Sequence, residues 1–193
     1  MSKESSKASS ATAAMLSKGM IQIEAAHAEG HYNVECHDAK GNLKWSEAIE
    51  NLVVNVGKNL ALDTLFAGSA FTTVGPFMGL ASSAVASALA TDTMASKTTW
   101  TEVGLANTPA YTAPRKTVTF SAAASGSKSS TGTYTFTFTS GGTVGGCFIV
   151  TGTGAVSTLD STAGVLYSVG AFTGGNKVVA TSDTLTVTYS ASM

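Results

Sequence analysis

The chain has 193 residues, enough for one well-buried core, with a net charge of −1 and only 12% charged residues. That balance creates no global field to draw in nucleic acid, and no apolar run approaches the roughly 18 residues of a membrane-spanning helix. Two cysteines are too few for a disulfide-stapled secreted domain; they read as reduced structural thiols or as one long-range bridge between Cys36 and Cys147.

Met1 to Lys18 is rich in Ser, Ala and Lys and lacks periodicity, which predicts a flexible or extended arm ahead of a single domain over 19–193. Its short Ala/Met/Leu patch is too weak for the apolar region of a signal peptide, so the expectation is a protein made and used without export. Ile21-Gln22-Ile23 is a candidate strand start. His31 to Asp38 alternates, with Tyr32, Val34 and Cys36 on one face and His31, Asn33 and Glu35 on the other. Asp38 to Asn42 is a turn by composition, and Leu43 to Ile49 alternates again around Leu43, Trp45 and Ala48-Ile49. Together they predict a β-hairpin.

Asn55 to Phe66 predicts a helix capped by Asn55 and stopped by Gly68, with Val56, Leu60, Leu62, Leu65 and Phe66 toward the sheet. Val74 to Leu80 is a short apolar strand entered through Pro76. Ala81 to Ala90 reads as loop or weak helix, Thr91 to Ala95 as a capped helical turn, and Glu102 to Pro114 as a long surface loop near Trp100 and carrying Tyr111.

From Lys116 onward every segment reads β: Lys116–Ala123, Gly132–Ser140, Val144–Thr151, Gly164–Val169, Lys177–Ala180 and Thr184–Ser190. Within Thr131–Val150 the threonines alternate with Tyr134, Phe136 and Phe138, and Gly141-Gly142 predicts a turn into an antiparallel partner at Cys147–Val150. From Thr117 to Met193 the only charged side chains are Lys128, Asp160, Lys177 and Asp183. The expected fold is mainly β: an antiparallel β-sandwich, with the jelly roll as one form of it, plus one short flanking helix and the extended N-terminal arm.

Chemistry is sparse. His27, His31, Cys36 and His37 are metal-ligand types, but their spacing matches no compact zinc motif, and on a strand His31 and His37 lie about 20 Å apart. A metal shared between subunits on a symmetry axis is the remaining route. There is no G-x-S-x-G elbow, Glu47 and Glu50 read as solvated charges, and Ser140–Gly146 lacks the ending of a phosphate loop. The expectation is a protein that is not an enzyme and uses no cofactor.

Candidate contact residues for a partner are therefore the arm lysines Lys3, Lys7 and Lys18, the aromatic pair Trp100 and Tyr111, and the threonine face of Thr133, Thr135 and Thr137. The lysines are too dispersed for firm nucleic-acid binding and read as a solubilising tail or an arm that orders on a neighbour. Trp100 and Tyr111 read as packing over the sandwich end or under a partner, with a carbohydrate-stacking platform as the alternative.

The order VECHDAKGNLKW, NLVVNVGKNLALDTLFAGSAF, PFMGL, ATDTMAS with WTEV, APRKTVTFSAAASGSK, GTVGGCFIV and GVLYSVGAFTGGNKVVATSDTLTVTYS resembles a family of small structural proteins of tailed bacteriophages, of the head-decoration, cement or tail-fibre-like kind. The resemblance runs from about Gly30 to Ser190. It implies a virion component on the capsid exterior, assembled in the bacterial host cytoplasm. It implies the major capsid protein and further copies of the chain, as a dimer or trimer, as partners. The alternative within the family is a tail-fibre or receptor-binding component that contacts the host surface.

Overall fold

The computed structural model describes residues 27–66 and 74–193. The arm Met1–Lys18, the candidate strand start Ile21–Ile23 and the helix stop Gly68 lie outside them. Strands β1 (Glu29–His37), β2 (Leu43–Glu50) and β3 (Leu52–Val53) lead into helix α1 (Asn55–Phe66) and β4 (Phe77–Ala81). A 3-10 turn over Ser83–Ser87 precedes β5 (Glu102–Val103), β6 (Lys116–Thr117), β7 (Ser127–Ser129) and β8 (Tyr134–Thr137). The chain closes with β9 (Gly142–Val144), β10 (Gly146–Thr151), β11 (Val165–Ala171), β12 (Lys177–Val179) and β13 (Thr184–Ser192).

The fold is mainly β, with antiparallel sheets stacked in a sandwich-like arrangement. The first sheet runs β2-β1-β13, with β7 and β8 following each other along the far edge of β13; the second runs β3-β11-β10-β4, with β5 and β6 sharing the far edge of β4. A short ribbon pairs β9 with β12. The first and last described strands are zipped together from Glu29↔Ser192 to His37↔Thr184, so the sheet is closed by the two ends of the domain. The alternation read in β1 and β13 is what permits this. Tyr32, Val34 and Cys36 meet Tyr189, Val187 and Leu185 on the buried face, and the polar residues between them face outward.

The hairpin turn at Asp38–Asn42 forms as its composition predicts. The Asp38 carboxylate accepts backbone hydrogen bonds from Lys40 (2.8 Å) and Asn42 (2.9 Å), and Gly41 takes the left-handed φ of +85°.

The second expected hairpin does not form. Across Gly141-Gly142 the chain changes sheets: β8 pairs with β13 (Phe136↔Leu185), whereas β10 lies between β4 and β11 in the other sheet. The reason is that β10 has no solvent-facing side. Cys147 and Ile149 belong to the core between the sheets, and Phe148 and Val150 to a second core with Val85, Met94, Trp100 and Leu166. A strand apolar on both faces needs neighbours on both edges and cover on both faces, which half-exposed β8 cannot give. Gly145 and Gly146 make the crossing possible, since a Cβ there would strike the carbonyl oxygens of Ser82 and Gly170.

Helix α1 spans the expected residues but packs differently. Its first turn hangs on the Val54 carbonyl, which Lys58 N–H reaches at 3.0 Å, so Val54 and not Asn55 occupies the capping position. Only Gly57 is buried, whereas Leu62, Leu65 and Phe66 are 51%, 69% and 75% exposed. The helix leans on β11 through backbone approach at Gly57, where a Cβ would meet the Tyr167 carbonyl oxygen, with Val56 packed on the second core and Leu62, Leu65 and Phe66 turned outward. Thr91–Ala95 is not helical, because Asp92 turns inward. The expected strand Lys116–Ala123 is broken: Lys116–Thr117 pairs with β4, and further along only an isolated antiparallel bridge at Phe120↔Ser130 forms.

These contacts set an expectation that inverts helix propensity. Gly57→Ala should destabilise the fold by about 1–3 kcal/mol in urea unfolding because the methyl overpacks against β11. Leu65→Ala should stay within about 0.5 kcal/mol.

Candidate partner-binding surface

The outward face of the first sheet is ordered by strand register into cross-strand rows. Ser46, Glu35, Thr186 and Thr135 form one row; Ala48, Asn33 and Thr188 the next; Glu50, His31, Ser190 and Ser129 a third. Thr184 lies beside His37 and Thr137 at one end. Thr133, Thr135 and Thr137 are exposed, as their alternation with Phe136 and Phe138 requires. A shallow hollow of about 150 Å³ lies among Asn33, Glu35, Thr133, Thr186 and Thr188.

Charge divides this face. The outward side of β7, β8 and β13 offers hydroxyls alone, with Lys128 turned to the other side over the Phe120 ring, whereas β1 and β2 bring Glu29, Glu35, Glu50, His31 and His37 alongside. The uncharged surface read from the C-terminal half is therefore flanked by an acidic, histidine-bearing strip from the N-terminal hairpin. His37 Nε2 lies 3.8 Å from Glu35 Oε2, and Cys36 points into the core away from both histidines. Among the described residues no group of three or more His, Cys, Asp and Glu side chains is placed to hold a metal ion.

The structure buries both Trp100 and Tyr111, as their reading as packing residues expects, and removes them as candidate partner contacts. Trp100 is 2% exposed, with its ring 5.4 Å from Phe148 and its Nε1–H donating to Asp92 Oδ2 at 2.9 Å. Tyr111 is 3% exposed, edge-on to Phe136 at 5.1 Å and lying against Gly104 where a Cβ would sit. The stretch expected as a surface loop turns inward because Glu102–Val103 adds β5 to the second sheet. Asp92 is the organising group that the sequence does not announce. It also accepts from Leu89 N–H (3.1 Å) and from the Thr98 hydroxyl (2.8 Å). Burial pushes its carboxyl up, but these hydrogen bonds outweigh burial and leave it below the usual carboxylate range.

The other buried charges are also structural. Arg115 grips Glu102 through two hydrogen bonds, Nε to Oε1 at 2.8 Å and Nη2 to Oε2 at 2.6 Å. The guanidinium also donates to the carbonyls of Val156 (3.0 Å) and Ser161 (2.7 Å), and it lies over the Phe148 ring. Asp183 accepts from Lys44 Nζ at 2.5 Å and from Ala180 N–H at 2.8 Å. Glu47 is held by Lys177 Nζ at 2.6 Å and by Gly174 N–H at 3.0 Å.

Cys36 and Cys147 are free and buried. Burial, then the nearby Asp183 charge, pushes the Cys36 thiol up to about 11 against the opposing pull of Lys44, and burial alone raises Cys147. Both stay protonated at neutral pH and are poor nucleophiles. Lys3, Lys7 and Lys18 lie outside the described residues. No described helix is long and apolar enough to cross a membrane.

Against known proteins, the chain matches no family model, no curated protein and no solved structure.

Two outcomes follow from the buried charges. Arg115→Met should cost about 3–5 kcal/mol in chemical unfolding, because it strands the Glu102 carboxylate in the interior. Asp92 has a folded pKa below its unfolded value, so its contribution is present above about pH 4 and is lost as pH falls through the folded pKa. Asp92→Asn should therefore flatten the fall of stability with acid, measured by urea unfolding from neutral pH down to the acid limit of the fold.

Proposed function

We propose that the chain is a structural protein of a tailed-bacteriophage virion: a cement protein that sits on the capsid exterior, binds the major capsid protein and stabilises the head. It would be assembled in the host cytoplasm, as the family resemblance implies. The observation that carries this reading is the hydroxyl-covered outer face of β8 and β13. Thr133, Thr135, Thr137, Thr186 and Thr188 present side chains that hydrogen-bond a partner or trapped water, and their burial strands no charge. Repeated over many symmetry-related copies, contacts of modest size sum to large stabilisation of a shell. The apolar groups left exposed on α1 at Leu62, Leu65 and Phe66 offer a second contact on the opposite side of the sandwich.

The alternative, a tail-fibre or receptor-binding part, drew on Trp100 and Tyr111 as an exposed aromatic platform. With both rings buried, that reading has no residue pair behind it.

Binding to isolated heads that lack the protein tests the proposal. Wild-type protein should saturate them at a copy number comparable with the major capsid protein. Replacing Thr133, Thr135 and Thr137 together with Asp should weaken attachment at least about tenfold, because carboxylates would have to be desolvated, with the melting temperature little changed. Deleting Met1–Lys18 should also weaken attachment while leaving the domain folded. Unchanged binding by the triple variant would remove the threonine face from the account.

A further inference from the structure

We propose that Ile21 and Ile23, which lie outside the described residues, seat their side chains in an apolar groove at one end of their own sandwich, with Glu24 beside Lys128 at its rim. The inference concerns the domain alone and holds whether or not the chain sits on a capsid.

At this groove, which encloses about 230 Å³, the core between the sheets opens to water. Tyr189 and Ala191 line it from the first sheet and Ile149 and Tyr167 from the second. Phe120 stands beside them, its ring 6.1 Å from that of Tyr189. Tyr189 and Ile149 are core residues, whereas Phe120, Tyr167 and Ala191 are only partly covered. Apolar walls left wet in this way gain free energy from any apolar cover.

The occupant follows from where the described chain begins. Gly30 pairs with Ala191 of the groove wall, so β1 starts beside the groove. Ile23 lies seven residues before Gly30, a reach of up to roughly 25 Å when extended. Residues 24–27 lie between Ile23 and Ala28, the four that a β-turn needs to reverse the chain.

Pattern and charge point to the same segment. In extended Met20-Ile21-Gln22-Ile23-Glu24, the two isoleucines share one face and Gln22 and Glu24 lie on the opposite side. Two β-branched side chains thus enter the groove while the acid stays at the rim. Lys128 stands at that rim, its Nζ 5.8 Å from the Phe120 ring, and it makes no ion pair among the described residues. The other stretch outside the described residues, 67–73, has Phe71 as its one large apolar side chain and no acid to meet Lys128. A second copy carries the same segment, but a tether of a few residues holds the chain's own segment at an effective concentration in the millimolar range.

The test uses the full chain, with folding checked by circular dichroism. Replacing Ile21 and Ile23 together with Asp should lower the melting temperature by about 4–8 °C, whereas Gln22→Asp should shift it by no more than about 1 °C. A variant with Ile23→Cys and Ala191→Cys, oxidised mildly in dilute solution, should close a disulfide within the single chain and keep the chain mass. The native Cys36 and Cys147 are buried and stay out of the reaction. Equal melting temperatures for the isoleucine and Gln22 variants would overturn the proposal. So would a disulfide that joins two chains, which gives the groove to a second copy, or no disulfide at all.

Discussion

The rest of the structure follows from β10, a strand with no side facing water. Cys147 and Ile149 are packed between the sheets, and Phe148 and Val150 lie under a second layer. Burying both faces demands partners at both edges, which β4 and β11 supply, and a cover for the far face, which the chain builds from irregular segments. Irregular backbone over a core needs polar anchors. Asp92 ties down the stretch before Trp100, and the Glu102–Arg115 pair fastens the stretch around Val156 and Ser161. Phe148 stands where the two meet, with the Trp100 ring beside it and the Arg115 guanidinium over it.

This economy decides where a partner can bind. The few charges of the C-terminal half are spent on holding the fold: Asp183 with Lys44, and Lys177 with Glu47. The second sheet is enclosed on both faces, so the broad regular surface left for recognition is the outer face of the first sheet. Its character is set by which strands lie side by side. β13 pairs with β1 on one edge and with β7 and β8 on the other, so a neutral hydroxyl field meets an acidic strip carrying His31 and His37. Such a face offers a partner shape and many weak hydrogen bonds.

Much of this was legible where the chain alternates strictly. The inward set of Tyr32, Val34 and Cys36, the inward set of Leu185, Val187 and Tyr189 and the outward threonines of β8 follow from a period of two, and the turn at Gly41 from composition. What periodicity cannot supply is the identity of a strand's neighbour. A glycine pair after β8 reads as a hairpin, yet the apolar run beyond it is buried on both faces and belongs to the other sheet. The helix was legible in extent and only partly in orientation: Gly57 and Val56 face the sheet, whereas Leu62, Leu65 and Phe66 turn outward. The sequence left Trp100 and Tyr111 open between packing and a partner contact, because their burial depends on Asp92 and Glu102, whose partners lie in segments with no regular pattern.

The proposed role makes the threonine face of β8 and β13 a contact surface on a virus head, and electron cryomicroscopy of the intact particle can see it. Density for this chain is expected on the capsid exterior, with Thr133, Thr135 and Thr137 covered by the neighbouring protein. Density at the tail, or on the head with those threonines turned to solvent, would contradict it.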